Sequence, residues 1–446
     1  MSSSNVTNSP EINLPVTKIE KSDDSLDWYR LDNAATLFTL VNSVRIPCMY
    51  RLSCTLKSRI NVDILQQALE NIIPRFPYYK VNMRMGIFWY YWETNTKTPK
   101  VVGDTKYPNQ VLPVTKKGIF PFRVRAFQNR VAVEFHHSLS DGTGAITFLR
   151  ALVAEYLVLK GAKVADWQDI FRPDQIPDQE EYEDAFKKNY IKNVPYPPKQ
   201  PNAFQLPNKL EAKGVFNITT GIIPIKEILK KSKELNVTLT EYLIAVYLDA
   251  LQQVLWSYPE KKRKRYLKPI RLMVPVNLRR IFPSKTMRNF SLYVTPGIDP
   301  RLGKFTFEEI LNQVYHYMRV EVSDKYISQQ IARNVRGELH PLVRFTPLFV
   351  KKLFGKAVYN GMGEKLYSGV ITNLGKITMP EELVDEIERI EFFPAPSPSN
   401  KTGCAVGSFG DYLFINFGST IREKNVEMYF FRNLVKDGIH VKIETN

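Results

Sequence analysis

Cysteine is nearly absent from this chain. Its 446 residues include only Cys48, Cys54 and Cys404, an odd set without paired spacing, which argues against a disulfide framework and against a zinc site. Long apolar runs are missing too, since none approaches the ~18 consecutive residues that mark a membrane-spanning helix. Residues 1–21 are polar and rich in Ser and Asn. They lack the apolar centre of a signal peptide and read as a disordered leader, so a reducing cytoplasm is the expected setting. Acid is short relative to base, with 45 Asp and Glu against 62 Lys and Arg, a net charge of +17. That surplus favours anionic partners: nucleic acid, anionic lipid, an acidic carrier protein or a phosphate-bearing cofactor. No zinc-finger or RNP signature accompanies it, which ranks nucleic acid low among these. No GxSxG elbow is present to supply a serine nucleophile.

What is there is a chain long enough for two lobes. In the first, residues 22–171, the stretch Cys48 to Lys57 alternates like a strand. Residues Asn61 to Ile73 carry Val62, Leu65, Ala68, Leu69 and Ile72 at helical spacing. Strands are expected over Gly86 to Trp92, Gly118 to Ala126 and Arg130 to Phe135, and a helix over Thr143 to Leu159. Residues 172–212 hold Pro173, Pro177, Pro195, Pro197, Pro198, Pro201 and Pro207 among charged residues, a composition suited to an extended linker with a short helix near Glu180 to Lys188. The second lobe, 213–446, mixes strands and helices again. Thr238 and Glu241 form a capping-box pattern that opens a helix through Trp256. A helix over Phe305 to Asp324 and strands over Ile270 to Val276, Ser368 to Asn373, Ile387 to Phe393, Thr402 to Phe409, Tyr412 to Gly418 and Ile439 to Ile443 complete the pattern. The basic run Lys261 to Arg265 reads as a solvated loop. The fold class is α/β, in the α+β sense, with mixed sheets flanked by helices in both lobes.

Chemistry concentrates at His136-His137-Ser138-Leu139-Ser140-Asp141-Gly142. A strand ends in two adjacent histidines, and alternation sends them to opposite faces, so only one can face a given cleft. Imidazole titrates near neutrality and suits general base work. Gly142 and Gly144 keep bulk out of the turn into the next helix. The chain has only five histidines, which makes two adjacent ones at a strand end informative. His316, His340 and His440 show no metal-ligand spacing, and no metal is expected.

HHSLSDG resembles the HHxxxDG motif of the CoA-dependent acyltransferase superfamily. That group includes chloramphenicol acetyltransferase-like enzymes, nonribosomal peptide condensation domains, alcohol acetyltransferases and wax ester synthases. Tyr29-Arg30-Leu31-Asp32-Asn33-Ala34, Ile64 to Tyr79, Leu235 to Glu241, Val274-Pro275-Val276-Asn277-Leu278-Arg279 and Ser368 to Gly375 are similar to segments of its bacterial alcohol acetyltransferase-like branch. The plant DFGWG motif is absent, and Gly407 to Tyr412 reads as a hairpin around Gly410-Asp411. The resemblance implies two chloramphenicol acetyltransferase-like lobes with an active-site tunnel between them. It implies His137 as general base, His136 as support for the turn, and Asp141 as a loop anchor paired with an arginine, Arg279 first and Arg271 behind it. Gly142 would leave room for a thioester arm, with Ser138 beside the substrate approach. Asn277, Thr372, Asn373 and Ser408 are candidate donors to the oxyanion or contacts to substrate. The implied activity moves an acyl group from acetyl-CoA or acyl-CoA to a small-molecule alcohol or amine. A free-standing condensation-type enzyme with a donor on a phosphopantetheinyl carrier is the alternative. Outside catalysis, the choices are a docking module that has lost turnover and a basic module for nucleic acid or peripheral contact with an anionic membrane.

Overall fold

A computed structural model describes residues 28–353 and 363–446, and the leader expected over residues 1–21 lies outside the described residues. The first lobe is organised by a five-stranded sheet in the order Ile387–Phe393, Met49–Leu56, Arg130–His136, Phe122–Phe127, Val101–Gly103. In Arg130–His136 the alternation places Val131, Val133 and Phe135 on one face, where they join Leu69, Phe148 and Leu152 of the helices Val62–Ile72 and Gly142–Leu159 in one core. The helix Gly142–Leu159 is apolar enough and long enough to cross a bilayer, yet most of it is buried inside this lobe. Its apolar length serves core packing.

The opposite face of the same sheet is ionic. Buried Glu134 takes Arg123 at 2.5 Å and Arg125 at 2.9 Å, with Arg51 at 3.4 Å. Arg51 also pairs with buried Asp104. Three guanidiniums hold the Glu134 carboxyl below the usual carboxylate range against the opposing cost of burial. Satisfied on all sides, this cluster is a polar layer that a hydrophobic pattern alone does not reveal.

The second lobe is built on an eight-stranded mixed sheet whose main path runs Ser291–Val294, Ile270–Asn277, Gly369–Lys376, Thr402–Phe409, Tyr412–Ser419, Asn217–Pro224, Lys442–Thr445. The helices Leu239–Trp256, Phe307–Glu321 and Asn425–Lys436 share its core. Thr238 and Glu241 do form a capping box on the first of these. One strand crosses between lobes. Ile387–Phe393 leaves the second lobe and pairs antiparallel with Met49–Leu56, closing the edge of the first lobe's sheet. Asn416 of the large sheet donates to the Phe392 carbonyl at 3.0 Å, which ties the two sheets together there.

Several elements differ from expectation. Of the aromatic run Gly86 to Trp92, only residues 86–89 leave the expected strand and form a hairpin tip, closed by the Gly86 amide on the Trp89 carbonyl at 2.9 Å between the strands Val81–Met85 and Tyr90–Thr94. The helix expected over Phe305 to Asp324 ends at Glu321, and a second helix, Asp324–Leu339, follows it. The basic run folds as the helix Glu260–Tyr266, where Lys262 and Arg263 lie over the rings of Tyr258 and Trp256. Stacking on aromatic faces gives those cations a local reason to be helical. The final strand starts at Lys442, not Ile439.

Candidate active site

The strand Arg130–His136 delivers the two histidines to different surroundings. His136 is fully buried, and its Nδ1 lies 2.6 Å from the Ser138 hydroxyl and 3.2 Å from the Ser138 amide, which donates to it. An Nδ1 that accepts leaves the proton on Nε2, which has no partner among the described residues. Burial lowers its pKa to about 3, with the neighbouring His137 adding in the same direction. His136 is therefore a neutral part of the turn.

His137 faces the other way. Its amide donates to the Cys48 carbonyl at 2.8 Å. Its ring stacks on Phe38 at 4.8 Å and lies 4.4 Å from the Tyr50 ring, and the residue lines a cavity between the lobes. Desolvation by these aromatic walls lowers its pKa to about 4, opposed in part by the Asp141 charge. At pH 7 the imidazole is neutral and able to accept a proton.

The rest of the motif is clasped by the second lobe. Asp141 caps the helix Gly142–Leu159, its Oδ1 accepting from the amides of Thr143 at 3.2 Å and Gly144 at 3.3 Å. Its Oδ2 accepts from Arg279 Nη1 and from the Phe290 amide, both at 2.8 Å. Arg279 also donates to the carbonyls of Thr286 and Arg288 and to Asn277 Oδ1. Asp141 and Arg279 thus sit together as a loop anchor. Arg271 does not join them, because its guanidinium is bonded to the carbonyls of Leu366 and Pro201. Ser140 donates to the Met287 carbonyl at 2.6 Å, Tyr79 reaches both Ser140 and Met287 at 2.9 Å, and Asn289 donates to the His137 carbonyl at 3.0 Å. Asn289 also reaches Asp32 Oδ2 at 3.3 Å. A Cβ on Gly144 would run into Ser140, Tyr79 and the Met287 carbonyl, so this glycine makes room for the clasp and not for a ligand.

The cavity is about 2580 Å³ and takes walls from both lobes, among them Phe38, Tyr50, His137, Asn277, Thr372 and Asn373. Gly142 also lines it, with Leu374 opposite. Asn277 is committed on both ends, Nδ2 to Thr143 at 3.2 Å and Oδ1 to the Arg279 amide at 3.1 Å, and Asn373 is similarly held by Thr240 and Gly375. Of the candidate donors, Thr372 is the cavity-lining residue without such a commitment in the described hydrogen bonds. Two expectations need correcting. Ser138 is buried against His136 and not on the cavity, because the turn points its hydroxyl inward. Ser408 also lies off the cavity wall, its hydroxyl 3.5 Å from the Gly375 carbonyl. The sequence reading missed Asn289 and Met287, and Asp32 and Tyr79 entered it only through a resemblance of their segments. Nothing in the pattern of residues 286–290 signals a clasp, since two of its contacts are main-chain atoms.

No protein-family model matches the sequence, and no curated protein does. Solved structures do. F. graminearum TRI101, solved with coenzyme A and deoxynivalenol, is 12% identical, with a TM-score of 0.62 over 94% of this chain and 99% of that one. Trichothecene 15-O-acetyltransferase from Fusarium sporotrichioides is 11% identical, with a TM-score of 0.57 over 92% of this chain and 94% of that one. The condensation domain of the Monacolin K polyketide synthase MokA is 13% identical, with a TM-score of 0.55 over 92% and 96%. The chain shares the fold of these acetyltransferases and of the condensation domain. Within this fold the motif strand and its loop bring His137 to the wall of the inter-lobe cavity.

Proposed function

We propose that the chain is an acyltransferase that moves an acyl group from a thioester to an alcohol or amine, with His137 as general base. The observation that carries this reading is the split between two adjacent histidines: one sealed into a turn, the other opening on a cavity between lobes. An alcohol is too weak an acid to attack at pH 7 unless its proton leaves as the bond forms. The neutral His137 takes that proton while the acceptor oxygen or nitrogen adds to the thioester carbonyl. When the tetrahedral intermediate collapses, the carbon–sulfur bond breaks and the imidazolium returns its proton to the departing thiolate. The products are ester or amide and free thiol. Thr372 and, through small rearrangement, Asn277 and Asn373 are the side chains available to the oxyanion. Holding both substrates against one base supplies much of the rate by orientation.

Acyl-CoA is the first choice of donor. The cavity walls include Arg280 and Arg333, cations suited to phosphates. A donor on a phosphopantetheinyl carrier is the second reading, supported by the fold shared with condensation domains. Thiol release from a panel of acyl-CoAs and acyl-pantetheine carriers, with alcohols and amines as acceptors, tests both. His137→Ala should lower release by about 100-fold or more with folding intact. The base must be neutral to act, so kcat/KM should stay level from pH 8 to about 5 and fall only as pH drops toward 4. A loss centred near 6.5 would contradict the desolvated histidine, and full activity in His137→Ala would end the assignment.

A further inference from the structure

One side of the cavity carries a surface that the reaction does not use. The hairpin at residues 84–92 and the segment at residues 341–353 pack against each other. The Leu348 amide donates to the Ile87 carbonyl at 2.9 Å, Lys351 Nζ donates to the Phe88 carbonyl at 2.7 Å, and the Phe88 and Phe345 rings meet edge-on at 6.4 Å. Yet this joint leaves large apolar groups outside. Met85, Ile87, Leu342, Phe345, Phe349 and Leu353 are each between 61% and 76% exposed. Phe88, Trp89, Leu342, Val343 and Arg344 line the inter-lobe cavity, so the patch forms part of its rim. Apolar residues scattered singly on a surface need no explanation, but a contiguous group at a cavity mouth does.

Charge identifies the occupant. Arg84, Arg344, Lys351 and Lys352 lie within the two segments, and neither segment contains an Asp or Glu. The flanking acids are already paired, Glu93 with Arg84 at 3.4 Å and Glu338 with Lys187 at 2.8 Å. Lys352 Nζ rests 3.8 Å from the Met85 sulfur and Arg30 lies over the Trp89 ring, so cations and apolar groups interleave. A second copy of the chain docked here by two-fold symmetry would set these cations against one another. A soluble acidic partner would leave the protruding side chains without a partner of their own. Bulky apolar groups ringed by Lys and Arg match the headgroup and acyl boundary of an anionic bilayer, which attracts the cations and buries the rest. We propose that this rim seats on an anionic membrane surface and turns one mouth of the cavity toward the lipid. On the acyl-transfer reading, an apolar acceptor or product would pass between bilayer and cavity; the docking itself does not depend on that reading.

Flotation of the full chain with vesicles of phosphatidylcholine, alone or mixed with phosphatidylserine, tests the proposal. Binding should require the anionic lipid and weaken with salt. The triple variant Ile87→Glu, Phe349→Glu, Leu353→Glu, in residues off the cavity wall, should bind at least about tenfold more weakly with an unchanged melting temperature. Lys352→Gln should reduce the preference for anionic lipid by a smaller factor. Equal binding of parent and triple variant would overturn the proposal and direct attention to the basic helix Glu260–Tyr266. No binding by the parent, or a parent dimer that the triple variant dissociates, would overturn it too. Thiol release with a water-soluble acceptor should be the same in parent and triple variant. If neither releases thiol while vesicle binding behaves as stated, the acyl-transfer reading fails and the docking stands.

Discussion

The motif loop has a sealed side and an open side, and they are built from opposite materials. On the sealed side, His136, Ser138, Ser140 and Asp141 find their partners inside the protein, through Tyr79, Arg279, Met287 and Phe290. On the open side, His137 has ring neighbours but no hydrogen-bonded partner for its imidazole among the described residues. A polar network anchored by the Asp141, Ser138 and Ser140 bonds holds a turn in one conformation, with His136 Nε2 left as its one unpaired donor among the described residues. An imidazole pressed between aromatic rings stays uncharged and available. The contrast teaches that seven consecutive residues divide into anchor and reagent by what surrounds each, and not by residue type.

That division can be broken from either side. The largest structural effect should come from Asp141→Ala, which leaves the Arg279 guanidinium with one accepting oxygen fewer and removes a helix cap. A loss of about 3 kcal/mol is expected, read as a lower denaturant midpoint. His137→Ala, by contrast, should leave that midpoint nearly unchanged while activity collapses. Equal stability in the Asp141 and His137 variants would erase the distinction. Gly144→Ala should cost about 1–3 kcal/mol, because a Cβ there meets Ser140, Tyr79 and Met287 together. A neutral result would mean that the clasp is looser than the contacts suggest.

The smallest effect sharpens the sealed side by pH. His136 has a folded pKa of about 3 against an ordinary 6.5, so the unfolded chain binds the extra proton first. Its contribution to stability is complete above pH 6.5 and declines as pH falls toward 3. The stability difference between the parent and His136→Gln should therefore shift against the parent by about 1.4 kcal/mol for each pH unit below 6.5. Urea unfolding at pH 7, 6 and 5 measures it. A difference independent of pH would place a charged His136 in the turn.

Local signals made the motif legible. Alternation over Arg130 to Phe135, a helical stripe after Gly142 and a capping pattern at Thr238 each depend on neighbours in the chain, and each element formed near its expected place. Asp141 and Arg279 came together across the lobes, a pairing that the resemblance alone suggested. What stayed hidden depends on distant main-chain atoms. The Met287 carbonyl and the Phe290 amide leave no trace in side-chain pattern, and Ser138 was misplaced because strand alternation does not say which way a turn hydroxyl points; Ser408 was misplaced because alternation along Thr402–Phe409 does not say which neighbouring strand its hydroxyl meets. The break after Glu321 went unread for a similar reason: Val322 and Ser323 carry no strong helix-stop residue.

The crossing strand Ile387–Phe393 has a consequence for how this molecule can be divided. Its pairing covers one side of Met49–Leu56 from Leu56 to Arg51. A shortened gene product ending before it would expose that row of unpaired amides and carbonyls, a ready template for joining another chain. The first lobe is thus complete only after the ribosome has nearly finished the second, and the two halves must mature as one.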